Sequence, residues 1–458
     1  MSTKRRSNMT RSKLTVLFLG TAAVAMFALS GLAGVSNPND QDSSLDGPLT
    51  GIRTYMGGYG HSIIPIQTGG SMMAGTYGAG GYNCCQPWLI QLDNFGTPLW
   101  QLLYEAEGLA GANNMQKTSD GGYIFSGEGI DLLAVKVDAV GNVEWSKNYG
   151  DGGYTHGRVF ITPDDDYLLL GGTALEDDGF HSNGRLLRVD QQGNVLWQKV
   201  MGQFGATEYF TSATVAHNGN YLIVGMNAGN YWVVEFNQSG DVVWQKTYGG
   251  PYEDDAWTVT QFRDHLYIIV GSSDSFAQGG LRNWWAILIS ESGDLILEQS
   301  FGGPDAEDPN IVIETSDGGA MIGGGTGSFG AGFSDIWLIK FDFRGRIQWQ
   351  KTYGVDRTEH AWHIQELPSG GYMVVGDSYL YPATYDIWLM AIDEDGNVRF
   401  GDCGEVGDTF VSPIPTSATV QVPSTPVMDT NIEAVDLRVD VVEKLVPIED
   451  CPPGIPSR

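Results

Sequence analysis

Five ionisable side chains stand at one aligned place along the chain: His61, His156, Asp255, Asp308 and His360 each follow shortly after a glycine-containing turn. Glu359, Asp254 and Glu307 precede three of them by one residue. Neutral imidazole is the commonest transition-metal ligand at neutral pH. Imidazoles and carboxylates converging on one axis would therefore hold a divalent cation or serve as acid and base. The competing reading is that the carboxylates cap a tight turn in every copy, which accounts for the acidic residues better than for the three histidines. His360 and His363 do not make a ligand pair, because residues three apart on a strand face opposite sides. Other apparent motifs dissolve on inspection. Gly376-Asp-Ser-Tyr-Leu380 and Asp393-Glu-Asp-Gly-Asn397 occupy slots that other copies fill with ordinary turn residues, and no Gly-x-Ser-x-Gly, His-Glu-x-x-His or phosphate loop is present.

A second group of candidates is aromatic. Tyr77, Tyr82, Phe180, Phe276, Phe329, Phe333, Tyr379, Tyr381 and Tyr385 lie in variable segments rich in Gly, Ser and Asn. Aromatic faces beside small polar groups suit sugar rings or peptide side chains, and long loops on a rigid scaffold are where binding usually resides. The same residues have a plainer use in packing on their own loops.

The elements that must position these groups follow from a repeat. Asp93-Asn-Phe-Gly96 followed by Trp100 recurs as Asp138 to Trp145, Asp190 to Trp197, Asn237 to Trp244 and Asp342 to Trp349, with degenerate copies at Gly293 and Gly396 that carry Leu297 and Phe400 in the Trp place. The anchor glycines 96, 141, 193, 240, 293, 345 and 396 are 45 to 53 residues apart, a period that marks stacked supersecondary units. Each unit reads as four short strands rich in β-branched and aromatic residues, bounded by Gly/Asp/Asn turns. A four-stranded sheet cannot bury both faces alone, so the units must stack, and closing the ring removes the exposed ends. The expected fold is all-β, a seven-bladed propeller over residues 49–401, with its variable loops and inner-strand entries on one face. Residues 49–56 copy the end of a fourth strand but have no anchor before them, so they are expected to complete the last blade.

Asp-x-x-Gly-x-x-x-Trp followed by Gln-Lys-Thr-Tyr-Gly-Gly resembles the repeats of secreted bacterial and archaeal β-propeller proteins. The Asp-x-x-Gly-x-x-x-Trp piece is also similar to the tryptophan-docking motif of quinoprotein propellers. That resemblance implies that Trp100, Trp145, Trp197, Trp244 and Trp349 pack between adjacent blades. Quinoprotein propellers usually have eight blades and cofactor-stacking residues that this sequence lacks, so a quinone is only a minor alternative, and the one other cofactor considered is a divalent cation.

The ends bound the compartment. Residues 1–13 carry five basic and no acidic residues, and residues 14–36 are uncharged and largely apolar. This pattern is an export signal, either cleaved near residue 33 or retained as a membrane anchor, with a linker over 34–48. The chain has 55 acidic against 25 basic residues, a net charge of −30 that argues against nucleic acid. Of the cysteines, Cys84 and Cys85 lie in the first variable loop, Cys403 just past the last blade and Cys451 in the tail. In an exported chain these either staple the tail to the ring through the vicinal pair, or form a Cys84–Cys85 bridge beside Cys403–Cys451. Residues 402–458 break the period and read as a Pro/Ser/Thr-rich linker and extended, unpacked tail. Two functions fit: a non-catalytic secreted or cell-surface scaffold that binds carbohydrate or polypeptide through its variable loops, and a propeller enzyme, such as a glycan hydrolase or lyase or a metal-dependent oxidoreductase, using the His/Asp ring.

Overall fold

The structure, a computed structural model, describes residues 51–449 except 67–68, 79–84, 106–107, 109, 130, 151–154, 174–181, 203–206, 264, 278–280, 381–383, 399–404, 410–411, 413, 422, 424–426, 430–434, 437–439 and 444–447. The described residues form seven antiparallel sheets and no helix, the blades of a β-propeller. The expected export signal and linker, residues 1–48, lie outside them. No helix among the described residues is long and apolar enough to cross a membrane. Blade 6 shows the plan: Glu307–Glu314 is innermost, followed outward by Ala320–Thr326, Asp335–Phe341 and Ile347–Gly354. Its turn glycines Gly318 and Gly345 have φ of 75° and 74°, a left-handed conformation that only glycine adopts without strain.

Stacking generates the core. Seven buried apolar clusters fill the seven junctions, each drawing on two neighbouring blades. At the outer part of five junctions the indoles of Trp100, Trp145, Trp197, Trp244 and Trp349 lie against the next blade's anchor glycines Gly141, Gly193, Gly240, Gly293 and Gly396. A methyl group on any of those glycines would approach the indole within 2.7–3.2 Å, which explains the Gly–Trp pairing of the repeat. The fourth-strand tyrosine adds a second tie. Tyr55, Tyr104, Tyr149, Tyr248 and Tyr353 donate to the carbonyls of Gly96, Gly141, Gly193, Gly293 and Gly396 at 2.5–2.9 Å. Replacing Tyr353 by Phe leaves the buried Gly396 carbonyl unpaired and should cost about 1 kcal/mol in denaturant unfolding. Phe301 stands in the tyrosine position of blade 5, so Phe301→Tyr should move stability the other way or not at all.

A further tryptophan set lies deeper. Trp88, Trp232, Trp285 and Trp337 occupy the third position of a third strand, Trp388 the fifth position of the longer Thr384–Ile392, and all five are fully buried. Blade 3 carries Arg185 at that position, equally buried.

Closure uses both ends of the ring. Gly51–Met56 pairs antiparallel with Thr384–Ile392, from Gly51 opposite Ala391 to Met56 opposite Asp386, and so supplies the fourth strand of blade 7. Val398 starts that strand with one bridge to Ile392.

The tail departs from its expected unpacked state. It runs backwards around the rim as a belt and lays a short fifth strand on each blade in turn. Glu405–Asp408 pairs with blade 6, Ile414–Pro415 with blade 5, Thr419–Gln421 with blade 4 and Val427–Asp429 with blade 3. Val435–Asp436 then joins blade 2, Asp440–Glu443 blade 1 and Ile448–Glu449 the N-terminal strand of blade 7. The cause is the row of unpaired backbone groups on every fourth strand, which an extended Pro/Ser/Thr segment can cover. The belt is also held by side chains: Trp337 and Trp285 donate to the hydroxyls of Thr409 and Thr416, both at 3.1 Å.

Candidate binding site at the channel mouth

Strand pairing changes which residues share a level around the channel. Five inner strands carry a bulge at the same point, at His61, Thr211, Trp257, Asn310 and Trp362. Two residues before each bulge stand Tyr59, Tyr209, Asp255, Asp308 and His360, opposite Thr76, Met226, Ser272, Gly325 and Asp377 of the second strands. Asp255, Asp308 and His360 therefore share a level, as expected from spacing. His61 does not: it is shifted two residues along, level with Trp362, because the turn entering blade 1 is shorter than the others. His156 is displaced too, since its backbone pairs with Glu128 of blade 2 rather than with its own blade's second strand. Its side chain lies outside the described residues.

The three residues that share the level are held in separate local contacts. Asp255 is buried and accepts a hydrogen bond from the Tyr209 hydroxyl at 2.5 Å. Burial pushes its carboxyl up to about 7. Asp308 faces Arg282 at 3.7 Å, and Arg282 also bonds Asp274 at 3.3 Å. His360 lies 3.4 Å from the Ser334 hydroxyl. Among the described residues no group of three or more His, Cys, Asp or Glu is placed to hold a metal ion.

Turn capping falls to the carboxylates one residue earlier. Asp254 accepts from the Gly250 N–H at 2.7 Å, Glu307 from Gly303 at 3.3 Å and Glu359 from Val355 at 3.3 Å. All three are fully buried, and burial raises their pKa values, that of Glu359 to about 8. A carboxyl raised in the folded state binds more protons there than when unfolded, so its contribution is full below its ordinary value and is lost as pH rises toward 7–8 for Asp255 and Glu359. Asp120, exposed, and Asp342, buried, are lowered to about 2 against some desolvation, by Lys136 and Thr118 bonds in one case and chiefly the Arg346 backbone and side chain in the other, so their contribution is lost only as pH falls below the ordinary carboxylate range. Thermal stability should therefore peak near pH 4–5 and decline toward pH 8. Glu359→Gln should flatten that decline, measured by melting across the pH series.

At the junction of blades 7 and 1 the mouth is aromatic. Tyr59 packs on Tyr385 at 4.0 Å between ring centres, and Tyr385 stacks on Tyr379 at 4.1 Å. His61 meets Trp362 edge-on at 5.5 Å and Tyr59 at 6.1 Å. The Trp362 indole N–H donates to Asp377, whose carboxyl is raised by burial. Tyr59, Tyr209, Trp257 and Trp362 were not legible as site residues, because their places at and beside the bulges emerge only from cross-strand pairing.

The remaining loop aromatics divide. Tyr77, Phe276 and Phe329 pack on the buried indoles of Trp88, Trp285 and Trp337 at 5.5, 4.8 and 5.5 Å, and cap the core there. Phe333 is 83% exposed. Tyr82, Phe180 and Tyr381 lie outside the described residues, as do Cys84, Cys403 and Cys451. The Cys85 thiol is directed at the Gly78 carbonyl at 3.4 Å.

The model of the family described as outer membrane protein assembly factor BamB matches residues 88–322, just over half of the chain. No curated protein gives a match. Among solved structures, a protein of unknown function from Bacteroides caccae is 15% identical with a TM-score of 0.40, covering 66% of this chain and 93% of that one. A Lactobacillus plantarum protein is 8% identical with a TM-score of 0.44, covering 84% and 100%. Drosophila semaphorin 2a is 7% identical with a TM-score of 0.40, covering 78% and 77%. With its docking tryptophans seated under the anchor glycines and a family match spanning four of the seven blades and part of two more, the chain belongs to the family described as outer membrane protein assembly factor BamB.

Proposed function

We propose that this protein is a non-catalytic scaffold that works outside the cytoplasm and binds other polypeptides through its variable-loop face. The observation that carries the reading is the mouth itself: Tyr59, Tyr379 and Tyr385 form a continuous aromatic surface there, while Asp255, Asp308 and His360 are engaged with Tyr209, Arg282 and Ser334. Rigid aromatics supply contact area at low entropic cost, and such residues dominate protein interfaces. The family's description as an assembly factor and the export pattern of residues 1–36 support a polypeptide partner beyond the membrane in preference to a sugar. The test is surface plasmon resonance against an unfolded outer-membrane β-barrel polypeptide. Tyr385→Ala combined with Phe333→Ala should weaken binding about ten-fold. Val140→Ala, on an exposed turn of the opposite face, should leave binding unchanged. Equal affinity of wild type and the double variant would overturn the assignment, as would binding to a glycan array with none to polypeptide.

A further inference from the structure

We propose that the outer slot between blades 5 and 6 binds one flat aromatic molecule of the indole class. In five other junctions this slot is filled from within by a docking tryptophan lying under the next blade's anchor glycine. In three of them the indole N–H also donates to the carbonyl two residues before that glycine: Trp145 to Gln191, Trp197 to Gln238 and Trp349 to Glu394, at 2.9–3.0 Å. Blade 5 carries Leu297 at the tryptophan position, and nothing lies within 4 Å of where a Cβ on Gly345 would be. The result is a cavity of about 80 Å³ bounded by Phe262, Ile268, Leu297, Phe301 and Phe341, with Gly345 at its end.

Two further features fit an incoming ring with a donor. Phe301 has no hydroxyl, so the Gly345 carbonyl lacks the tyrosine bond that Gly141, Gly193, Gly293 and Gly396 receive. The Phe343 carbonyl, two residues before Gly345, corresponds to the acceptors of the other indoles. Leu297 is 46% exposed, so the slot is reached from solvent at the rim without opening the blades. A cavity so nearly free of polar atoms is a poor home for water and a good one for an apolar ligand. Its place is equivalent to the one that an indole fills at five other junctions of the same ring.

The experiment is a fluorine NMR titration of the whole exported chain with 5-fluoroindole. Wild type should show saturable binding at one site. Leu297→Trp, which fills the slot from within, should weaken that binding at least ten-fold while raising the melting temperature. Leu297→Ala should bind as well as wild type or better, and Leu297→Phe serves in place of the tryptophan variant if that chain does not fold. Absence of saturable binding to wild type, or undiminished binding to a folded Leu297→Trp or Leu297→Phe protein, would overturn the proposal. So would displacement by cyclohexane as effective as displacement by indole.

Discussion

A chain that begins at Gly57 should melt about 10 °C lower than one that keeps residues 51–56, because it loses the fourth strand of blade 7. Within that strand Ile52, Thr54 and Tyr55 are all buried, and the Tyr55 hydroxyl bonds the Gly96 carbonyl of blade 1 at 2.5 Å. Burial of side chains of this size contributes roughly 1.5–3 kcal/mol each, and domains of a few hundred residues lose about 2–4 °C per kcal/mol. The deletion also leaves Thr384–Ile392 as a bare edge at the one place where the ring is closed by chain ends. An unchanged melting curve would show that blade 7 is completed by other residues. Supplying the missing strand as a separate peptide should restore part of the lost stability, since the register from Gly51–Ala391 to Met56–Asp386 is set by the remaining partner.

Truncation after residue 401 should make the protein associate with increasing concentration more than the full chain does, read by light scattering after size exclusion. Each belt strand is only two to four residues long and contributes little alone. Together they cover the outer edge of all seven blades, and a row of bare edges is a template for pairing with other chains. The last belt strand, Ile448–Glu449, lies on the N-terminal strand through pairs Tyr55–Ile448 and Thr54–Glu449. A shorter truncation at residue 445 therefore removes the cover from the closure strand alone. It should raise the unfolding rate before it causes association. A full truncation that stays monomeric at high concentration would mean that the rim edges are protected by twist or side chains instead.

Peptide mapping without reduction should find Cys84 and Cys85 in disulfides in exported protein, either to Cys403 and Cys451 or to each other; recovery of all four as thiols would exclude both patterns.

The repeat itself was enough to determine blade number, strand order, the docking tryptophans and the completion of blade 7 by the segment around Gly51–Met56. These depend on local signals that recur around the ring: a glycine with positive φ in all seven copies, an Asp or Asn that caps the turn in six, and a tryptophan at constant spacing from both in five. Repetition averages out the noise of any one copy. The level of the mouth residues was not determined in this way. His61 moved two positions from His360 because the turn into blade 1 is shorter, and only cross-strand pairing reveals where a bulge resets the count. The buried tryptophans of the third strands were equally silent, since a strand buried on both faces shows no alternation. The belt depended most on tertiary structure. Its residues carry composition but no pattern, and the groups that order them are backbone N–H and C=O atoms on the rims of seven blades, which exist as a surface only once the ring has formed.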